Sequence, residues 1–222
     1  MFLEDTFSPA PLGLKLTFVG HGTLVMTYGD TVIHVDPVGE HADYSQMPKA
    51  DIVLVTHEHS DHLDPEAIAK ISTPATSVIV AAKCAGKVNG SIVLQNGDSR
   101  AVKGIRVEAV PAYNIVHMRA PGAPFHPKGE GNGYVLTLGT RKVYVAGDTE
   151  NTREMKSLKR IDVAFLPMNL PYTMTPEMVA DAALAFRPKV LYPYHFGDTD
   201  TGRIQDLLAS AKDIEVRIRP MK

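Results

Sequence analysis

Hydrophobic positions along the 222-residue chain fall in short apolar or alternating runs, each bounded by Gly, Pro, Asp or Asn, the pattern of many short strands separated by turns. The runs predict strands over residues 15–19, 24–28, 31–35, 52–56, 77–81, 92–95, 104–110, 134–138, 142–146, 163–166, 190–192 and 215–218. Helices are fewer. Asp64-Pro65-Glu66 opens one with an N-cap, a proline at the first helical position and an acid in the first turn, running to about Ile71. Thr175-Pro176-Glu177 opens a second, which Arg187-Pro188 stops, and residues 201–211, 82–88 and 152–158 give a third and two shorter ones. A strand-rich stretch, intervening helices, a second strand-rich stretch and a final alternation of strand and helix predict an α/β (α+β) arrangement of two mixed sheets with helices outside. Nothing in the chain reads as a linker, so residues 1–222 are expected to form one domain.

Composition narrows the partners. With 44% hydrophobic and 22% charged residues the chain is a folding one, and 23 Lys and Arg against 25 Asp and Glu leave a net charge of −2. That balance offers no field for nucleic acid or an anionic membrane surface, and no apolar run approaches the roughly 20 residues of a membrane span. The acidic start, Met1-Phe2-Leu3-Glu4-Asp5, lacks the basic residues of a secretory signal, and the lone Cys84 permits no intrachain disulfide. A cytoplasmic protein acting on a small molecule is expected, with homo-oligomerisation left open.

The nine histidines change the picture. In Ile52-Val53-Leu54-Val55-Thr56-His57-Glu58-His59-Ser60-Asp61-His62 a run suited to a buried strand ends in three histidines and two acids, and imidazole with carboxylate is what a borderline divalent metal prefers. His57 and His59 share a side in extended chain, and Asp61 and His62, after a turn, face a second ion nearby. Lys142-Val143-Tyr144-Val145-Ala146 ends in Gly147-Asp148, whose carboxylate suits a bridge between two cations, and Val190-Leu191-Tyr192-Pro193-Tyr194 ends in His195.

The order His57-x-His59-x-Asp61-His62, then Gly147-Asp148, then His195 resembles the metallo-β-lactamase superfamily of binuclear metal hydrolases. Within it the chain is similar to the compact branch related to ascorbate phosphate lactonase and, more remotely, to N-acyl phosphatidylethanolamine phospholipase D, whose Gly-His element Gly20-His21 resembles. The resemblance implies a four-layered αββα sandwich with the site at one edge between two sheets. It implies that His57 and His59 hold one ion, Asp61, His62 and His195 the other, and that Asp148 bridges them. The ions would be zinc, with manganese or iron as alternatives. The first ion's third ligand departs from the pattern. Asn114 stands about where some relatives carry a histidine, His126 in its Pro- and Gly-framed loop is the first choice, His117 is a further candidate, and without any of them the site would hold one ion.

His21, at the end of a predicted strand, is read as a proton donor or substrate contact, or else as a residue orienting a ligand, and Asp36 as a residue that fixes a metal-binding histidine. The segment from Asn114 to Asn132 is too long for an ordinary connection, and Asn114, His117, Arg119 and Lys128 are its candidates for holding an anionic substrate. A hydroxide held between two cations and oriented by Asp61 would then hydrolyse a small anionic ester, lactone or phosphodiester. An iron-dependent redox enzyme and a non-catalytic metal-dependent binding protein are the rival classes.

Overall fold

The computed structural model of the chain describes residues 2–8 and 12–222, so Met1 and residues 9–11 of the expected 1–222 domain lie outside it. The first half builds a seven-stranded sheet in simple order: β1 (Leu3–Phe7), β2 (Leu14–Gly20), β3 (Thr23–Tyr28), β4 (Thr31–Val35), β5 (Ile52–Val55), then after α1 (Pro65–Ile71) β6 (Ser77–Ala81) and β7 (Ile92–Leu94). β1 to β4 are antiparallel neighbours, whereas β4 to β7 run parallel. The second half repeats this plan with β8 (Ser99–Val102), β9 (Ile105–Ala112), a small hairpin of β10 (Met118–Ala120) and β11 (Ala123–Pro124), β12 (Gly131–Leu138) and β13 (Arg141–Val145). α2 (Arg153–Lys156), β14 (Val163–Pro167), α3 (Pro176–Phe186), β15 (Val190–Tyr194), α4 (Gly202–Leu207) and β16 (Glu215–Val216) complete it. β8, β9, β12 and β13 are antiparallel, and β13 to β16 parallel.

Alternation along the strands explains the layering. Leu14, Leu16, Phe18, Leu24, Met26, Ile33, Ile52 and Leu54 from the first sheet meet Val107, Tyr134, Leu136, Val143, Phe165 and Tyr192 from the second in one buried core. There the rings of Phe165 and Tyr192 stack at 5.0 Å and Phe18 lies 5.1 Å from Tyr192. The opposite faces are covered by helices: Val53, Val55 and Val80 pack under Ile68 and Ile71 of α1, and Tyr144, Ala164 and Leu166 under Val179, Ala183 and Phe186 of α3. The result is helix, sheet, sheet, helix, the αββα order expected. Among the described residues no helix is long and apolar enough to cross a membrane.

Several elements differ from the sequence reading. β1, with Leu3 and Phe7 its only large apolar residues, and β8, Ser-Arg-Ala-Val, carry little hydrophobic signal and exist through pairing with β2 and β9. The helix expected over 82–88 is a single 3-10 turn at Ala82–Cys84, and the one expected over 201–211 spans Gly202–Leu207. β15 runs through Pro193 to Tyr194 because β16 pairs only at Val190 and Leu191, so no ladder needs the missing N–H.

The sheets are tied together at one edge. The Tyr134 hydroxyl of β12 donates to the Val55 carbonyl at the end of β5 (2.8 Å), the Asn132 N–H to Thr56 O (2.8 Å), and the His195 N–H to His21 O (3.1 Å). Each tie lands on or beside a histidine-bearing segment.

Candidate metal centre

β5 ends in a turn rather than continuing, because the N–H groups of His62 and Leu63 both donate to His59 O (3.0 and 2.8 Å), and Asp64 then caps α1 through the N–H groups of Glu66 and Ala67. The turn folds Asp61 and His62 back beside His57 and His59. Asp36, just after β4, holds it from below. Its buried carboxylate accepts from the Thr56 N–H (2.7 Å), the Thr56 hydroxyl (2.6 Å) and His62 Nδ1 (2.8 Å). A carboxylate only accepts, so the proton sits on His62 Nδ1 and Nε2 is aimed at the site. Gly22 permits this, since a Cβ there would stand 2.6 Å from His62 Cε1.

The second sheet brings the other donors. Gly147 (φ 65°) turns the chain after β13 where a Cβ would lie 2.8 Å from Asn132 O, and Asp148 is thereby buried among the histidines. Its Oδ1 is 3.4 Å from His62 Nε2, and its Oδ2 is 3.3 Å from His126 Nε2, 3.4 Å from His195 Nε2 and 3.9 Å from His57 Nε2. His57 Nε2 and His59 Nδ1 face each other at 3.1 Å. Asp61 Oδ2 is 3.2 Å from His21 Nε2 and 3.7 Å from both His62 and His195 Nε2. His195 (φ 46°) and His21 (φ 52°) both adopt the left-handed conformation, and their rings are 3.7 Å apart.

His126 is positioned by Asn114, whose Oδ1 accepts from the His126 N–H and Nδ1 (both 2.8 Å). The Asn114 amide N–H donates to Glu150 (3.2 Å) and to Tyr172 O (2.9 Å), so the amide is locked and His126 Nε2 is free to face Asp148. Glu150 is a residue the sequence reading missed. Fully buried, it accepts the N–H groups of Ile115 and Val116 (2.6 Å each) and His117 (2.8 Å), together with His117 Nδ1 (2.6 Å). Its one sequence signal is its place two residues beyond Asp148.

Electrostatics favour a cation here. Burial holds His57 well below the usual imidazole range and also lowers His59, leaving neutral donors. Burial works in the same direction on His62, but the carboxylates of Asp148, Asp36 and Asp61 overcome it and raise this group to about 9. Burial opposes the ionised forms of Asp61 and Asp148, yet the surrounding imidazoles keep both carboxyls below the usual range. The carboxylates therefore demand positive charge, which the donor residues themselves offer only as protons on would-be ligands.

Three donor groups have all their atoms within 4.8 Å of one another: His21, Asp61, His62 and His195; His57, His59 and His126; and His57, His62 and Asp148. Donors about 2.1 Å from a tetrahedral ion stand about 3.4 Å apart, close to the separations above. His62 Nε2, His195 Nε2 and Asp148 Oδ1 are moreover buried without any hydrogen-bond partner, a costly state that a bound cation removes. The residues fit divalent metal ions.

The cationic loop is placed differently from expectation. Of its candidates only Arg119 lines the cleft of about 390 Å³ over the donors, where it lies 5.5 Å from the centre of the Phe125 ring, itself 5.2 Å from Tyr172. Lys128 is turned to Glu154 (2.7 Å) and the Tyr113 ring, His117 is bound to Glu150, and Asn114 is consumed in holding His126, so none of these three faces the cleft as a substrate contact. His21, expected to give a proton or to orient a ligand, stands within the donor cluster itself. His34 donates through Nε2 to Pro48 O (3.0 Å) away from the site, and His41 stacks 5.6 Å from His21.

A family model described as "Beta-lactamase superfamily domain" matches residues 15–195. A metal-dependent hydrolase from Koribacter versatilis is 36% identical over 83% of this chain and 85% of its own length. Another from Pelotomaculum thermopropionicum is 30% identical over 92% and 96%. A crystal structure of a protein named as a metal-dependent hydrolase, from Parabacteroides distasonis, superposes with a TM-score of 0.95 at 47% identity and covers 100% of both chains.

Proposed function

The chain belongs to the β-lactamase superfamily as a metal-dependent hydrolase, and we propose that it works with two divalent ions on either side of Asp148. His57, His59 and His126 would hold one, and Asp61, His62 and His195 the other. The observation that carries this reading is the presence of two donor groups, His21, Asp61, His62 and His195 on one side and His57, His59 and His126 on the other, with the two oxygens of the buried Asp148 carboxylate turned one to His62 and the other to His126.

When bound, such ions bring the pKa of water from about 15.7 to about 7 and polarise the scissile carbonyl or phosphoryl oxygen. The chain's own residues do the rest. Asp61, its side chain 44% exposed, borders the cleft and is placed to accept a hydrogen bond from an attacking water. Arg119, braced on Phe125, provides the charge for an anionic group on the substrate, and Phe125 with Tyr172 forms an apolar wall against its remainder. A small ester, lactone or phosphodiester carrying an anionic group is the substrate class that suits this cleft.

Elemental analysis of untagged protein purified without added metal tests the reading. About two equivalents of zinc or manganese per chain, with hydrolysis of an anionic ester, lactone and phosphodiester panel lost on chelation, is the expected result. One equivalent or less, not raised by reconstitution, overturns the two-ion mechanism. Two equivalents of iron with oxygen consumption would replace hydrolysis by redox chemistry.

A further inference from the structure

We infer that His21 is itself a metal ligand on the Asp61 side of the centre, so that this position is filled by protein donors while the one among His57, His59 and His126 is the open, exchangeable position; this rests on the two-ion reading above.

Three independent observations point the same way. The first is geometry. The two-residue turn between β2 and β3 places His21 Nε2 3.2 Å from Asp61 Oδ2 and the ring 3.7 Å from that of His195, with the donor atoms of His21, Asp61, His62 and His195 mutually within 4.8 Å. Counting Asp148 Oδ1, 3.4 Å from His62 Nε2, five protein donors serve this side. The other side has His57, His59 and His126, with Asp148 Oδ2 shared. The second is backbone conformation. At φ 52° between Gly20 and Gly22, a turn suited to glycine carries an imidazole directed into the site, and its carbonyl is bound to the His195 N–H. The third is charge. The His21 side has Asp61 of its own besides the shared Asp148, and His62 leans on the buried carboxylate of Asp36 where His126 leans on the neutral amide of Asn114.

More donors, more negative charge and a stronger supporting acceptor all raise affinity on the His21 side. Metal positions closed by protein ligands serve to hold an ion, whereas catalytic ones keep a place for water or substrate. The ion beside His21 is accordingly retained, and the one beside His126 exchanges and accepts the incoming ligand.

The test is a zinc titration of the metal-stripped full chain against a chromophoric chelator, with elemental analysis after graded chelation. Wild-type protein should bind in two steps separated by about tenfold or more, one equivalent surviving the chelator that removes the other. His21→Gly relieves the left-handed backbone, so the Tm of the metal-free protein should hold or rise while the tight step weakens by about 10- to 100-fold. His21→Asn, which also tolerates that conformation, should weaken the same step. His126→Ala should abolish the weak step and spare the tight one. An unchanged tight step in both His21 variants, or two indistinguishable steps in the wild type, overturns the assignment and leaves the two-ion reading standing. A wild-type chain that binds no zinc overturns both.

Discussion

The two halves of the chain, residues 3–94 and 99–216, share one strand plan and divide the chemistry unequally. Each lays down four antiparallel strands and continues with three parallel ones through a helix between the fifth and sixth, α1 in one half and α3 in the other. Corresponding strand ends carry different residues. The end of β5 bears His57, His59, Asp61 and His62, while the end of β14 bears Met168 and Asn169. Asp36 after β4 holds His62 from behind, whereas Asp148 after β13 stands among the potential donors. The two-residue β2–β3 turn offers His21, and its counterpart between β9 and β12 is the long segment with the β10–β11 hairpin that offers His126. A repeated backbone plan thus delivers strand ends to a shared edge, and the side chains placed there are free to differ.

The sharpest way to break the comparison is to remove the carboxylate of Asp148, whose two oxygens face the two donor groups. Asp148→Asn should lower kcat/KM by about a thousandfold or more, because several kcal/mol of charge stabilisation at the reacting centre are lost, and should reduce bound metal in elemental analysis. Full metal content with wild-type turnover would remove Asp148 from the centre.

A change in the common core should show that the halves are one cooperative unit. Phe165, fully buried against Tyr192 of its own sheet and Phe18 of the other, is expected to cost about 3–5 kcal/mol on replacement by Ala, in a single denaturant transition. Two separate transitions would mean that the sheets fold apart.

Acid should distinguish the halves. His34 and Tyr144 occupy the same place in β4 and β13, and both are buried. Burial lowers His34 to about 4 from 6.5, and raises the phenol of Tyr144. As pH falls the unfolded chain takes up the His34 proton first, so this stability is complete above pH 6.5 and drains away between 6.5 and 4, by up to about 3 kcal/mol. Denaturant titrations at pH 7.5 and 4.5 should show a smaller loss in His34→Gln than in wild type. Equal losses would assign the acid sensitivity elsewhere.

The smallest effects sharpen the picture of the long segment. Arg119→Ala should raise KM about tenfold for an anionic substrate, the loss of one charge-assisted contact, with little change in kcat. Lys128→Ala should leave both unchanged because its ammonium is held by Glu154 outside the cleft. The reverse pattern would reassign the anion contact.

What was legible in the sequence follows from the same division. His57 to His62, Asp148 and His195 stand out because each ends a run of buried apolar residues, where packing gives no reason for a ligand-type side chain. Asp36 was legible likewise, one residue past β4. Glu150 and the working role of Asn114 were not, because their partners at Ile115 to His117, His126 and Tyr172 come together only when the second sheet has formed. His117 and Lys128 of the long segment were visible but not their directions, which Glu150, in the turn after Asp148, and Glu154 of α2 decide. β1 and β8 escaped detection because an edge strand takes its conformation from its neighbour.

The Glu150 carboxylate has a kinetic consequence. Moving Ile115 to His117 away from it would leave a buried charge with only the Asn114 amide of its five donors, a loss of several kcal/mol, so a form with this segment detached is populated at well under about 1%. On the timescale of turnover the segment is fixed and not a lid. If Arg119 is the anion contact proposed above, a substrate would meet it on a segment already ordered during folding, and its arrival would be set by diffusion and electrostatic steering rather than by closure of residues 115–117.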